Sequence, residues 1–288
     1  MREFFIGFER RRGGRTATLG ITTNSSFDVW KEGFMLRAFV NQLGLQEQAH
    51  RVRDRVDPAC RRRRSQRQDL YRQFVAPNDL VFDIGANMGN RVETFVSLGA
   101  QVVAVEPQSM CVAYLRRWYG RKPVTVVPRG VGSAPGTAIL HLSTAHTLAT
   151  FSQNYIAEAT AVGLNAGHQW NATEEVQVCT LDQLISEYGN PRFCKIDVEG
   201  FELEVLRGVS QPLESLSFEF HADLDDANGC IAQLETLGRY RYNFALDESM
   251  HLALPKWADA ESLLGALSSA THKDDWGDIY AVIDSAMA

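Results

Sequence analysis

Two carboxylates and a short run of small residues stand where a nucleoside could be held. Asp83 lies inside Val81-Phe82-Asp83-Ile84-Gly85-Ala86-Asn87-Met88-Gly89-Asn90, an apolar strand pattern running into a glycine-rich turn. A second acid, Glu106, follows 23 residues later at the end of Val103-Ala104-Val105 and precedes Pro107. In open parallel sheets a carboxylate at this spacing receives the ribose hydroxyls of an adenine nucleoside. The turn also lacks a feature: no glycine stands three residues after Asn87, so the backbone cradle that a pyrophosphate needs is incomplete. Asp83 would repel a phosphate and attract a cationic amino-acid group. S-adenosylmethionine carries such a group, and Asp83, Gly85, Asn87, Gly89, Asn90, Glu106 and Pro107 are the expected contacts. A glycine turn that merely joins strand to helix is the competing reading, and the spacing of Glu106 weighs against it.

A second cluster sits in Phe193-Cys194-Lys195-Ile196-Asp197-Val198-Glu199-Gly200, three charged side chains where an apolar strand ends and the helical pattern Phe201–Arg207 begins before Gly208. Ligand crevices of parallel sheets lie at the carboxyl ends of the strands. Lys195, Asp197 and Glu199 are therefore expected beside Asp83 and Glu106. The plainer alternative pairs Lys195 with one carboxylate and leaves Glu199 to favour a helix N-terminus. In Ser217-Phe218-Glu219-Phe220-His221 the strand period turns Glu219 and His221 to the face opposite Phe218 and Phe220. His221 is thus either a substrate neighbour or a hydrogen-bonded structural histidine. Tyr155, His168 and Trp170 are candidates to line an acceptor pocket, or to pin their own segment to the body.

The elements that must position these groups alternate along the chain. Strand patterns at 80–84, 101–105, 124–127, 193–197 and 215–220 alternate with helical patterns such as 89–97 and 109–119, which implies an α/β doubly wound parallel sheet with helices on both faces. Tyr240–Phe244 and Asp278–Ile283 would add late edge strands. Short strands at 138–142 and 176–179 flank residues 143–174, a polar, aromatic-bearing insertion expected to act as a lid or acceptor loop. Helical patterns over about 28–44 and 60–75 suggest that residues 1–75 form a mainly helical N-terminal extension to a domain at 76–288. The turn Ala76-Pro77-Asn78-Asp79 separates them.

Composition bounds the rest. The 288 residues are 45% hydrophobic and 22% charged, enough for a full core. No run of 18 apolar residues occurs and the N-terminus carries acids among its apolar residues, so no membrane span is expected and the location reads as cytoplasmic. Residues 1–75 carry +8 and residues 76–288 carry −14, together the −6 of the chain. The Arg61-Arg62-Arg63-Arg64 run has no interleaved aromatics, so a solvated helical face is favoured over a nucleic-acid surface. Cys60, Cys111, Cys179, Cys194 and Cys230 are scattered, with no Cys-x-x-Cys pair, and give neither a metal site nor a redox dithiol.

At this point the chain resembles the FkbM family of S-adenosylmethionine-dependent methyltransferases. The resemblance rests on Leu80–Asn87, Val105-Glu106-Pro107, Thr147-Leu148-Ala149-Thr150-Phe151-Ser152, Thr180-Leu181-Asp182-Gln183-Leu184-Ile185 and, most specifically, the full run Lys195–Gly208. It implies a class I methyltransferase Rossmann-like fold, mostly parallel with a late antiparallel strand. It further implies methyl transfer to a hydroxyl oxygen of a sugar, lipid or secondary metabolite, with Lys195, Asp197 and Glu199 at the reaction end. Ala149 departs from the family's usual Ser. Aligning the acceptor oxygen with the S–CH₃ bond and excluding water should supply most of the rate. The base for the hydroxyl proton is first Asp197 or Glu199, then His146 or His221. Mg²⁺ held by paired oxygen-rich side chains is a secondary alternative. Two other classes compete: a nucleotide-linked oxidoreductase, disfavoured by the missing glycine, and a non-catalytic interaction protein using the basic N-terminal region.

Overall fold

A computed structural model describes residues 57–161, 167–221, 224–272 and 275–284. The helix expected at 28–44 lies outside them. Helix α1 (Pro58–Tyr71) starts where Asp57 accepts the Ala59 amide and Pro58 supplies a preset first turn. It ends four residues short of the expected boundary. Phe74 and Val75 turn inward instead, and Phe74 stacks on Tyr280 and packs against Phe193.

The chain then alternates as anticipated: β1 (Leu80–Ile84), α2 (Asn90–Ser97), β2 (Gln101–Val105), α3 (Ser109–Tyr119), β3 (Val124–Val127) and β4 (Gly130–Val131). Next come β5 (Gly136–Ser143), a 3₁₀ turn (His146–Leu148), α4 (Gln153–Ala161), β6 (Trp170–Cys179), α5 (Leu181–Tyr188), β7 (Phe193–Ile196) and α6 (Glu202–Arg207). The chain closes with β8 (Ser215–His221), α7 (Asp225–Leu237), β9 (Tyr240–Leu246), α8 (Ala260–Ala270) and β10 (Trp276–Ile283). Helix α5 carries a reciprocal cap, Thr180 accepting from the Gln183 amide while the Gln183 side chain accepts from the Thr180 amide.

Seven strands form one sheet in the order β3-β2-β1-β7-β8-β10-β9, with β10 antiparallel to both neighbours. The strand Asp278–Ile283, expected at an edge, is therefore interior, and only β9 forms that edge. An antiparallel strand can slot between β8 and β9 because α8 and its flanking loops span the return. The order reverses between β1 and β7, which opens a crevice at their carboxyl ends.

Strand alternation divides the core into two layers. Phe82, Ile84, Val103, Val105, Cys194, Ile196 and Phe218 face one layer, and Val81, Val102, Ala104, Phe193 and Tyr280 face the other. The same rule places Asp83, Lys195, Ser217, Glu219 and Asp278 on the second face. The register sets Asp83 opposite Lys195, Lys195 opposite Ser217, and Glu219 opposite Asp278.

The ends of the 143–174 segment are strands. β5 and β6 pair antiparallel over their full lengths in a second sheet with β4, longer than the expected 138–142 and 176–179. Charged Glu174 and Glu175 masked the second strand, yet one side of this pair faces solvent, where polar residues belong.

Candidate active site

A cavity of about 390 Å³ opens at the carboxyl ends of β1, β2 and β7, lined among others by Asp83, Asn87, Glu106, Lys195, Asp197 and Glu199. The strand ends thus bring together both charged clusters read from the sequence.

On the β2 side, Glu106 is 3% exposed. Its Oε2 accepts the Asn87 amide at 2.7 Å and its Oε1 the Gln108 amide at 2.8 Å. Burial pushes its carboxyl up to about 7, against the two amides that favour the charge. Asn87 adopts φ 47°, a conformation asparagine tolerates. Its Oδ1 receives the Met88 amide and faces His146 Nδ1 at 2.7 Å, and its Nδ2 donates to the His146 carbonyl, which Gln108 Nε2 also reaches. His146, immediately before the Thr147–Ser152 block, is thereby tied to the Gly85–Gly89 turn. Gly85 has φ 81°, and a Cβ there would stand 1.8 Å from the Asp197 carbonyl oxygen, so only glycine lets the β1 and β7 loops meet.

Asp83 is 2% exposed and its Oδ2 is buried without a hydrogen-bond partner. Burial raises its carboxyl to about 7, although Lys195 pulls the other way. Lys195, 1% exposed, donates to Asp197 Oδ2 at 3.1 Å and Asp278 Oδ1 at 2.9 Å. Burial opposes its charge, but Asp197 and Asp278 outweigh it and hold the ammonium well above the ordinary lysine range. Burial would lift Asp278, yet Lys195 and Arg91 keep it below the usual carboxylate range. Arg91 forms a two-pronged pair with Glu248 at 2.8 and 3.3 Å.

Beyond β7, Glu199 sits at φ 56°, uncommon for a residue with a Cβ. Thr150 Oγ1 donates to its carbonyl at 2.6 Å and the Tyr155 hydroxyl to its Oε2. Burial, then the neighbouring Asp197, raises its carboxyl to about 8. Gly200 follows at φ 81°, with the Tyr155 ring where a Cβ would be. Tyr155 also packs edge-on against Trp170 and His221. Glu219 Oε2 is shut off from water and has no partner. Burial raises its carboxyl, reinforced by Asp197, Glu199 and Glu202, and burial lowers the His221 imidazole.

The residues read from the sequence fall into four positions. Asp83, Gly85, Asn87, Asn90, Glu106, Pro107, Lys195, Asp197 and Glu199 line the cavity. Gly89 faces away, packed against Tyr119 and Leu115, and Asn90 also receives the Arg67 guanidinium. His221 packs against Tyr155, with a ring nitrogen within 4.8 Å of carboxylate oxygens of the lining residues Glu199 and Glu219. Trp170 donates to the Leu148 carbonyl at 2.7 Å and His168 bonds Thr144, so both brace the 143–174 segment internally, while Thr150 and Tyr155 fasten it to Glu199. Sequence reasoning overlooked Arg91, Gln108, Glu248 and Asp278. Asp278 alone carried a signal, as a single acid inside the apolar run Gly277–Ile283.

Among solved structures, the chain is similar to a precorrin-6y C5,15-methyltransferase from Geobacter metallireducens, at TM-score 0.42 and 13% identity over 77% of this chain and 86% of that one. It is also similar to a TehB-like SAM-dependent methyltransferase from Corynebacterium glutamicum, at TM-score 0.36 and 10% identity over 75% and 86%. Among curated proteins it is 30% identical over 168 residues to the hexuronic acid methyltransferase AglP of Haloferax volcanii. That match spans 55% of this chain and 64% of AglP, less than two thirds of the relative's length. The family model described as the methyltransferase FkbM domain matches residues 83–251, from the acid of β1 to beyond β9. The chain belongs to the FkbM methyltransferase domain family.

Proposed function

We propose that this protein transfers a methyl group from S-adenosylmethionine to a hydroxyl oxygen of a sugar acceptor, a uronic acid or a glycan containing one. The observation that carries the reading is the pair of buried carboxylates in one cleft, Glu106 with both oxygens fixed by backbone amides and Asp83 with an oxygen left over. A carboxylate with remaining lone pairs on each oxygen can accept a ribose diol. An unpartnered buried carboxylate calls for a cation, which the amino-acid end of S-adenosylmethionine supplies. When bound, that compound provides a methyl group already activated by its sulfonium. The sugar class comes from the relative AglP, whose name specifies hexuronic acid.

The chain's own task is then placement. Glu106 would hold the ribose and Asp83 the cationic end, so the methyl group would face the β7 loop. Lys195 keeps one oxygen of Asp197 occupied and leaves the other to accept the acceptor's O–H as the C–O bond forms. Tyr155, Phe151 and Phe201 give that end apolar surface against water, with Phe151 and Phe201 ring centroids 5.4 Å apart.

Titration calorimetry with S-adenosylmethionine, followed by mass spectrometry of glucuronic-acid oligosaccharides incubated with enzyme and cofactor, tests the reading. Saturable binding and a gain of one methyl per acceptor are expected. Binding of NAD in preference to S-adenosylmethionine, or no binding of either, would overturn it.

A further inference from the structure

The acceptor end of the cleft holds more carboxyl groups than the cofactor reading uses. Asp197, Glu199 and Glu202 all press on Glu219, Asp197 presses on Glu199 and Glu202 as well, and Lys195, already shared between Asp197 and Asp278, is the cation that offsets them. Glu202 is satisfied by the Val198 amide at 2.9 Å. Glu219 is not: its Oε2 is inaccessible to solvent and has no protein donor among the described residues. Beside it, one ligand atom each from Glu199, Glu219 and His221 lies within 4.8 Å of the others. Metal–ligand bonds of about 2.1 Å place donors roughly 3 to 4 Å apart, so a rotamer adjustment closes the set.

We propose that Glu199, Glu219 and His221 bind one first-row divalent cation of the Mn²⁺ class at the acceptor end of the cleft. The strand period of β8 puts Glu219 and His221 on one face, and β7–β8 pairing delivers Glu199 to them. Two carboxylates and an imidazole match Mn²⁺, Fe²⁺ or Zn²⁺ better than Mg²⁺, which prefers an all-oxygen shell. Three protein ligands leave positions for water and a sugar diol or carboxylate. With the cation bound, the two ionised carboxylates and its two positive charges cancel, so Glu199 and Glu219 set no net charge against an anionic uronic acid. No spacing motif marks the site, because its ligands come from two elements that are adjacent only in the sheet.

The role assigned to the cation rests on the proposed methyl transfer, but its binding does not, and the two are tested apart. Mn²⁺ is titrated into chelator-treated full-length chain and followed by loss of the free-ion electron paramagnetic resonance signal. One ion per chain is expected, with affinity lowered at least tenfold in Glu219→Gln and in His221→Ala and unchanged in the exposed control Glu175→Gln. Bound Mn²⁺ in the unaltered chain should also show ¹⁴N modulation from an imidazole, a readout that needs no variant. Absence of binding at millimolar Mn²⁺, or bound Mn²⁺ without nitrogen coupling, overturns the site. S-adenosylhomocysteine calorimetry on the same samples reports on the cofactor reading alone.

Discussion

On the β1–β2 wall of the cleft Glu106 receives a backbone amide on each oxygen, whereas on the β7–β8 wall Lys195, Asp197, Asp278 and Glu219 answer one another through side chains or go unanswered. Backbone donors are fixed by the fold and stay in place whatever is bound. Side-chain charges compensate one another only as a set, and the set is short of positive charge. Glu106 on the first wall therefore suits a neutral diol, whereas the unanswered carboxylates, Asp83 beside it and Glu219 on the second wall, suit cations.

Removing the shared ammonium breaks the second wall outright. Lys195→Met takes the shared cation from Asp197, one third exposed and screened by solvent, and from the buried Asp278, and losing one partner of a buried pair such as Lys195–Asp278 costs about 3 to 5 kcal/mol. Urea unfolding at pH 8 should show that loss, with less of it at pH 5, where the orphaned carboxyls can take up protons. A loss below about 1 kcal/mol at pH 8 would mean that the wall does not depend on its lysine.

Glu106→Ala tests the first wall. Two hydrogen bonds to a charged acceptor are worth about 1.5 to 3 kcal/mol each, so affinity for S-adenosylmethionine should fall by about 100-fold or more in calorimetry. The variant also strips acceptors from the Asn87 and Gln108 amides, and S-adenosylhomocysteine should weaken in parallel. Unchanged affinity would remove Glu106 from the nucleoside site.

The two walls also differ in how far the sequence revealed them. Asp83, Gly85, Asn87 and Glu106 are legible because local strand–turn chemistry at a fixed spacing defines them. Lys195, Asp197 and Glu199 are legible as a cluster, but not what they pair with. Asp278 comes from the last strand, and its place beside Lys195 depends on β10 entering between β8 and β9, a nonlocal register that no periodicity encodes. The β5–β6 pair was legible only in the middle of β5 and at the last residues of β6, since its solvent side carries the polar residues that a loop would also carry.

Proton linkage sharpens the contrast. Asp83 and Glu106 both have carboxyls raised to about 7, mainly by burial. In the ligand-free chain they contribute stability that is full below the ordinary carboxylate range near 4 and is lost as the pH rises through 7. Cofactor binding runs the opposite way, because a ribose diol and a cation both favour the ionised forms. Affinity should be flat above about pH 8 and fall about tenfold per unit below 7 for each group that must ionise. Asp83→Asn should remove part of both slopes. Calorimetry at pH 6, 7 and 8 giving equal affinities would show that neither carboxylate changes charge on binding.

The smallest expected effect concerns Arg91, which joins the two walls from α2. Its guanidinium reaches Glu248 with two contacts, but the Glu248 side chain is 45% exposed while that of Arg91 is 10% exposed. Solvent screens such a pair, so Glu248→Gln should lower stability by only about 1 kcal/mol or less, and high salt should erase part of the difference. The same substitution leaves Arg91 more dependent on Asp278, whose charge already feels it. The loss should therefore grow when Glu248→Gln is combined with Asp278→Asn, beyond the sum of the two single changes, as expected for residues that share a partner. Strict additivity in that double-mutant cycle, measured by urea unfolding, would show that Arg91 serves the rim alone and that the charged floor of the second wall ends at Lys195.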